Sequence, residues 1–158
     1  MKLARTIHFD DSDFNVFARP AETGEWAISG GFEFSNWTEG DLVGKARQAF
    51  ANGWLGMESY GRATFVAVVK VEAPEIDVLK EKLAKHFVDI YGAPTLEAAR
   101  SVAAQEIEFM CELAEDQEPN AILVVQRELT ESGVKESFRA IKAQEANLDQ
   151  IGVHATEE

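Results

Sequence analysis

Two ionisable side chains, His86 and Glu106, lie at or within the apolar stripes of two predicted helices. The helical spacing of apolar residues over 74–91 and 95–115 predicts these helices. At about 100° per residue, Glu106 falls inside the apolar arc of the second helix, and His86 lies at the margin of the first. In a helical hairpin the two could meet as a proton-transfer pair or as two of several metal ligands. A structural hydrogen bond at the rim of the core is the alternative that we favour, because structural pairs also perturb pKa values.

The glycine-containing loop at 53–61 is the second place where a ligand could bind. It joins a predicted helix to a predicted central strand and carries Trp54 and Tyr60, with Arg62 directly after it. Loops at strand ends often carry binding residues, and aromatic rings with an arginine can hold a planar or anionic ligand. A tightly packed crossover whose glycines serve the backbone geometry is the alternative that we favour. The candidate ligand-binding residues are Trp54, Tyr60, Arg62, His86 and Glu106.

Standard catalytic and cofactor motifs do not occur in the sequence. It has no dinucleotide-binding GxGxxG, no phosphate-binding P-loop, no HExxH and no GxSxG. The single cysteine, Cys111, lies within a predicted helix and is expected to be a packed thiol. Gly30 and Gly31 leave a gap between large apolar neighbours, where a β-bulge or a closely packed helix is favoured over a ligand. We therefore expect no cofactor, no metal site and no catalytic residues.

The remaining patterns predict an α+β fold, with a mixed, mainly antiparallel sheet and three helices packed on one face, two of them a helical hairpin. Predicted strands lie at 3–9, 14–18, 25–34, 62–72 and 121–128, a predicted turn at 10–13, and predicted helices at 41–51, 74–91 and 95–115. Residues 130–142 have helical spacing but a turn-like start, and we interpret them as a hairpin strand. The strands at 62–72 and 121–128 should be neighbours, and a parallel pair through a right-handed crossover is one possibility.

Composition restricts the class of protein. The chain has 158 residues, is 46% hydrophobic and carries a net charge of −13, with 15 basic and 28 acidic side chains. Such acidity disfavours nucleic acid and anionic lipid as partners. The first ten residues lack the apolar region of a signal peptide, and the apolar runs at 65–69 and 121–125 are too short to span a bilayer. We expect a cytoplasmic protein with one domain over 1–150 and a mobile polar tail over 151–158.

Three stretches, KLARTI at 2–7, GKARQAFANG at 44–53 and LVVQRE at 123–128, carry a resemblance to a known family. The chain resembles, over most of its length, a family of short bacterial proteins known only as a domain of unknown function. This resemblance implies no activity and no functional residues. It suggests an accessory protein encoded near redox enzymes, including molybdenum-dependent ones.

Two hypotheses for the function remain. The first is a non-catalytic accessory or interaction protein that self-associates or binds a protein partner, because Trp37 and Trp54 are expected to be exposed and such side chains favour interfaces. The alternative is a small-molecule-binding protein or a cofactor-free enzyme that uses the His86 and Glu106 region and the loop at 53–62.

Overall fold

A curled seven-stranded antiparallel sheet packed against helices forms the fold of the computed structural model, which describes residues 1–141. The strands are β1 (Lys2–Ile7), β2 (Trp26–Ile28), β3 (Trp54–Gly56), β4 (Arg62–Ala63), β5 (Phe65–Lys70), β6 (Ile122–Thr130) and β7 (Gly133–Ile141). The helices are α1 (Ser12–Val16), α2 (Gly44–Asn52), α3 (Ala73–Tyr91) and α4 (Leu96–Glu115), with 3₁₀ helices at Gly31–Phe34 and Glu39–Asp41. The strand order is β4-β3-β2-β1-β5-β6-β7. The α+β prediction is confirmed, including the hairpin strand now seen as β7; the tail at 151–158 lies outside the described residues.

β5 and β6 are neighbours, as predicted, but they run antiparallel, so the parallel alternative is wrong. Their register pairs Val66 with Leu123. The helices between them have nearly equal lengths of 19 and 20 residues and run in opposite directions, since Lys80 of α3 binds Glu108 of α4 at 2.8 Å. The chain therefore travels about as far along α3 as it travels back along α4. The chain returns to the end of the sheet that it left, and β6 must run back along β5.

The predicted strand at 14–18 is wrong, because helix α1 occupies this segment. Asp13, in the predicted turn at 10–13, is buried with 1% exposure. Its carboxylate accepts hydrogen bonds from the Thr64 backbone at 3.1 Å and the Thr64 hydroxyl at 2.6 Å. The predicted strand at 62–72 is interrupted at Thr64, between β4 and β5. These long-range bonds thus fix α1 against the sheet and divide the strand at the same time.

The predicted strand at 25–34 is also wrong beyond Ile28. Gly30 has a φ of 74°, a backbone conformation that favours glycine, and a 3₁₀ helix begins at Gly31. This 3₁₀ helix stands in place of the β-bulge that we favoured. A Cβ atom on Gly30 would lie 2.7 Å from an Arg62 nitrogen, and one on Gly31 would overlap the Glu136 carboxylate. Glycines are needed here because the Arg62 and Glu136 side chains approach the backbone closely.

The hydrophobic core lies largely between the helical hairpin and the sheet. The buried side of α4 carries several small residues, including Ala99, Ala103 and Ala114. This helix packs on β1 and β2, where Ala4 and Ala27 are paired and fully buried. Small side chains on both surfaces allow the helix to lie close to the sheet. The predicted hairpin is therefore confirmed, and it covers the centre of the sheet.

Candidate functional site

Arg62 is a buried cation, and its hydrogen bonds are directed at protein acceptors. Its guanidinium nitrogens bind the Gly53 carbonyl at 3.1 Å and the Gly30 carbonyl at 3.1 Å, and they form an ion pair with Glu33. The Phe34 ring lies below the guanidinium, with 4.7 Å between the ring centroid and Cζ. Burial lowers the pKa of Arg62 to about 10, which still leaves it charged at neutral pH. The sequence proposed Arg62 as a ligand-binding residue, whereas these contacts give it a structural role.

Arg127 is a second buried arginine beside the first. Its Nη1 atom binds the carbonyls of Phe50 and Gly53, both at 2.9 Å, and its Nη2 atom binds the Ser29 carbonyl at 2.5 Å. Its Nε atom pairs with Glu136 at 2.7 Å. Burial lowers the pKa of Arg127, and Glu136 opposes that shift. We call the four charged residues Arg62, Arg127, Glu33 and Glu136 the arginine cluster; its two positive and two negative charges balance.

The loop at 53–61 is held by a buried carboxylate, Glu25. It accepts hydrogen bonds from the backbone of Glu22 at 2.7 Å, Glu58 at 3.0 Å and Ser59 at 2.9 Å, and from the Ser59 hydroxyl at 2.7 Å. Burial alone would raise the pKa of Glu25, but these four hydrogen bonds favour the ionised form and lower it. The segment is therefore not the crossover loop that we favoured, because Trp54–Gly56 forms β3 and the turn that Glu25 holds returns the chain antiparallel into β4. Sequence reasoning missed Glu25.

Tyr60 and His86 lie together, although the sequence assigned them to different candidate sites. Their rings are stacked with 3.5 Å between centroids and an interplanar angle of 1°. Tyr60 has a φ of 57°, which turns its ring out of the loop towards α3. Burial lowers the pKa of His86, and the nearby charges of Glu33 and Asp89 oppose this shift. The neutral imidazole is thus favoured in the stack.

Glu106 lies in a different environment from His86. Burial raises the pKa of Glu106, and the negative charge of Glu136 raises it further. Among residues 1–141, the Glu106 carboxyl has no hydrogen-bond or ion-pair partner, so the two residues do not form the pair that we considered. Trp54, the remaining candidate, is fully buried with its ring 5.7 Å from that of Phe138. Its indole N–H has no hydrogen-bond partner within the described part of the chain.

An apolar cavity of about 300 Å³ lies where the helical hairpin bends. The sequence did not predict it. α3 ends at Gly92, with a φ of 70°, and the Thr95 hydroxyl caps α4 by accepting a hydrogen bond from the Ala98 backbone at 3.0 Å. The short link between them leaves the cavity open beside the 3₁₀ helix. We call this cavity the hairpin pocket; its lining residues are Phe32, Phe87, Tyr91, Ala93, Pro94, Ala98, Ala99 and Val102.

Aromatic rings form one wall of the hairpin pocket. The Phe32 ring meets those of Phe87 at 5.0 Å and Tyr91 at 5.6 Å, both edge to face. Burial raises the pKa of Tyr91, as does a hydrogen bond from its hydroxyl to Glu33. Since Glu33 belongs to the arginine cluster, the wall is connected to the most constrained part of the fold. The His86 ring, 5.4 Å from Tyr91, extends the aromatic group towards Tyr60.

A second cavity, of about 370 Å³, lies on the β6–β7 hairpin and is lined by Gln126, Arg127, Glu128, Lys135 and Ser137. The residues that line it are of polar types, and the Arg127 side chain is bound within the arginine cluster. Within residues 1–141, no group of three or more His, Cys, Asp and Glu side chains is placed to hold a metal ion. No helix in this part of the chain is both long and apolar enough to cross a bilayer. The hairpin pocket is the better candidate site.

We expect Glu25→Gln to be destabilising by about 2–3 kcal/mol at neutral pH, because an amide nitrogen would face backbone donors. The folded-state pKa of Glu25 lies below its ordinary value of 4.5, so its contribution is present above that value and is lost as the pH falls through the folded-state pKa. Urea melts at neutral and acid pH should show this difference shrinking in acid. Glu22→Gln, at an exposed position, is the matched control. An equal loss of stability at both pH values would contradict the assignment.

Glu106→Gln should be as stable as the wild type at neutral pH or more stable, within about 1 kcal/mol. The raised pKa means that folding favours the protonated carboxyl, an advantage that is lost as the pH rises through the folded-state value. The effects of Glu106→Gln and His86→Gln should add within about 0.5 kcal/mol, since the residues occupy separate environments. Urea melts of the single and double variants measure the stability of Glu106→Gln and its additivity with His86→Gln. Glu112→Gln, at an exposed position, is the control. Marked non-additivity would show that the two side chains interact.

Neither a curated protein nor a solved structure matches the chain. A family model described as a family of unknown function, DUF6505, matches residues 1–158. The predicted resemblance to a family without an assigned activity is confirmed, while bacterial origin stays a prediction. The chain belongs to the DUF6505 family.

Proposed function

We propose that the chain is a non-catalytic binding protein and that the hairpin pocket receives an apolar group of a small molecule. The observation that carries this proposal is an open cavity of about 300 Å³ whose lining is almost entirely apolar. Tyr91 is 44% exposed and Val102 45% exposed at its rim. Ligand sites in proteins are typically concave, mostly apolar and of this size or larger. An apolar group that enters the pocket would remove these surfaces from water.

The wall of the pocket is preorganised, which supports a binding role. Phe32 belongs to the 3₁₀ helix that begins at Gly31, and the Gly30 carbonyl before it is bound by Arg62. Edge-to-face contacts then orient the Phe32 ring against α3. Because these groups are already ordered, a ligand would lose little affinity in arranging them.

The non-catalytic part of the proposal is supported by the positions of the ionisable groups. The arginines of the cluster face carboxylates and carbonyls, and His86 is stacked on Tyr60. Cys111 is half-buried on α4, and burial raises the pKa of its thiol, which disfavours the reactive thiolate. These arrangements suit structure better than proton transfer or nucleophilic attack.

Filling the pocket should abolish binding of an uncharged apolar probe. Ala98 is exposed at the pocket, so Ala98→Phe can place a ring there without disturbing the core. We expect N-phenyl-1-naphthylamine to bind the wild type saturably, with a rise in fluorescence, and Ala98→Phe to weaken this binding at least about tenfold. Ser101→Phe, also exposed but outside the lining, should stay within about twofold of the wild type. The absence of saturable binding, or equal losses in both variants, would overturn the proposal.

Protein interaction is the second candidate. The sequence based it on exposed tryptophans, and that expectation is wrong. Trp54 is fully buried, and the half-buried Trp37 packs on Phe34 with 4.7 Å between ring centroids. What favours interaction instead is a set of exposed apolar side chains on the helical hairpin. These are Val78 and Ile90, each 65% exposed, Val102, 45% exposed, and Phe109, 43% exposed. Contact with a partner would remove these side chains from water.

If the hairpin mediates self-association, Ile90→Glu should shift the wild-type oligomer to monomer, because a charge would be buried at the interface. Val43→Glu is the matched control, since Val43 is also 65% exposed but lies away from the hairpin. Sedimentation velocity over a range of protein concentrations measures the effect. A wild type that stays monomeric throughout would rule out self-association.

The cytoplasmic location, the avoidance of nucleic acid and membranes, and the link to redox enzymes stay predictions.

A further inference from the structure

We propose that the ligand of the hairpin pocket is a hydrophobic organic cation whose ammonium group pairs with the Glu106 carboxylate. The inference rests on the proposed function and specifies the chemical class of its ligand. It depends on where Glu106 lies relative to the pocket, on what surrounds its carboxyl, and on the aromatic wall.

Glu106 lies one helical turn beyond the pocket on α4. Val102 lines the pocket, and Glu106 follows it by four residues within the same helix. Residues four apart lie on one side of a helix, with about 5–6 Å between their Cβ atoms. A ligand whose apolar body contacts Val102 can therefore extend a polar end to the Glu106 carboxyl. The distance suits a short amine chain.

Within residues 1–141, no positively charged side chain pairs with Glu106. The charged group that acts on it is Glu136, whose own carboxylate is bound by Arg127 at 2.7 Å and by the Ser29 hydroxyl at 2.6 Å. In the described part of the chain, the Glu106 carboxyl has no hydrogen-bond or ion-pair partner. A half-buried carboxyl in this position loses solvation without gaining a partner. A bound ammonium group would supply both the charge and the hydrogen-bond donors.

The aromatic wall suits the same class of ligand. Rings such as Phe32, Phe87 and Tyr91 attract cations through the negative potential of their faces. The Tyr91 hydroxyl already donates to Glu33, so the ring is the part of this residue that remains for a ligand. The net charge of −13 would also raise the concentration of cations around the protein.

An anionic ligand fits less well. It would approach Glu106 and lie near Glu33 and Glu136, whereas the nearby cations Arg62 and Arg127 are buried and already bound to carboxylates. A neutral apolar ligand fits the pocket but supplies no charge to pair with the Glu106 carboxylate. Charge complementarity therefore distinguishes the cation from the other two classes.

Three probes of one shape test the inference: 4-phenylbutylamine, 4-phenylbutanol and 4-phenylbutyrate, each titrated by NMR into the full chain near neutral pH at low salt. We expect the amine to bind at least about tenfold more tightly than the alcohol and the butyrate to bind most weakly, as close charge pairing predicts. Raising the salt concentration should reduce the advantage of the amine. These comparisons use the wild type alone, so they do not depend on how any variant folds.

Glu106→Gln should remove the advantage of the amine and leave the affinity for the alcohol within about twofold. Glu112→Gln, an exposed change of the same kind on α4, should alter neither affinity. Equal affinities of amine and alcohol in the wild type, or an amine advantage that survives Glu106→Gln, would overturn the inference while the pocket still binds. Failure of all three probes would instead overturn the proposed function.

Discussion

Two buried guanidinium groups determine how the middle of this chain folds. Arg62 and Arg127 lie side by side away from water, and each must find oxygen acceptors for its N–H groups. Both bind the Gly53 carbonyl, directly after α2, and both reach the segment that follows β2. The Ser29 and Gly30 carbonyls accept hydrogen bonds from these arginines where a longer β2 would present them to a neighbouring strand. β2 therefore ends after three residues, and the chain turns into the 3₁₀ helix that presents Phe32 to the helical hairpin.

The balance of charge in the arginine cluster makes this arrangement possible. Each arginine has a carboxylate, and Phe34 lies against both guanidinium groups, with its ring centroid 4.7 Å and 5.2 Å from the two Cζ atoms. Buried ion pairs contribute little net stability but penalise alternative arrangements that leave a charge unpaired. Glu136 and Glu33 come from β7 and from the 3₁₀ helix, so the cluster joins segments far apart in the chain. Its effect is to specify one arrangement of these segments.

The sequence predicted the elements whose pattern is local. The hairpin helices have regular apolar spacing with Gly92 and Thr95 at their ends, and the hairpin strand β7 follows β6 through a tight turn. Prediction from the sequence failed where residues distant in the chain determine the backbone conformation. Alternating apolar residues favoured a strand over 25–34, but the arginines that end it come from β4 and β6. Asp13 is bound by Thr64, about fifty residues away in the chain.

The candidate site could be predicted only in part for the same reason. The position of Glu106 within the apolar arc of α4 followed from helical geometry, but the approach of Glu136 depends on how β7 folds back. The stacking of Tyr60 on His86 requires a positive φ in a loop that Glu25 holds. The hairpin pocket is formed by a loop, two helices and a 3₁₀ helix. The sequence pattern predicted a strand where this 3₁₀ helix lies. No single stretch of sequence carries its pattern.

The place of β1 in the sheet affects the order in which the protein can assemble. β1 begins at the second residue of the chain, yet it is a middle strand, with β2 on one side and β5 on the other. During synthesis, β1 is made before both of its neighbours, so its edges are paired only after residues near 26 and then residues near 65–70 have followed. Until then its backbone groups are open to other chains. Among the described strands, the sheet can thus assemble outwards from β1, and the β6–β7 hairpin is made after the others.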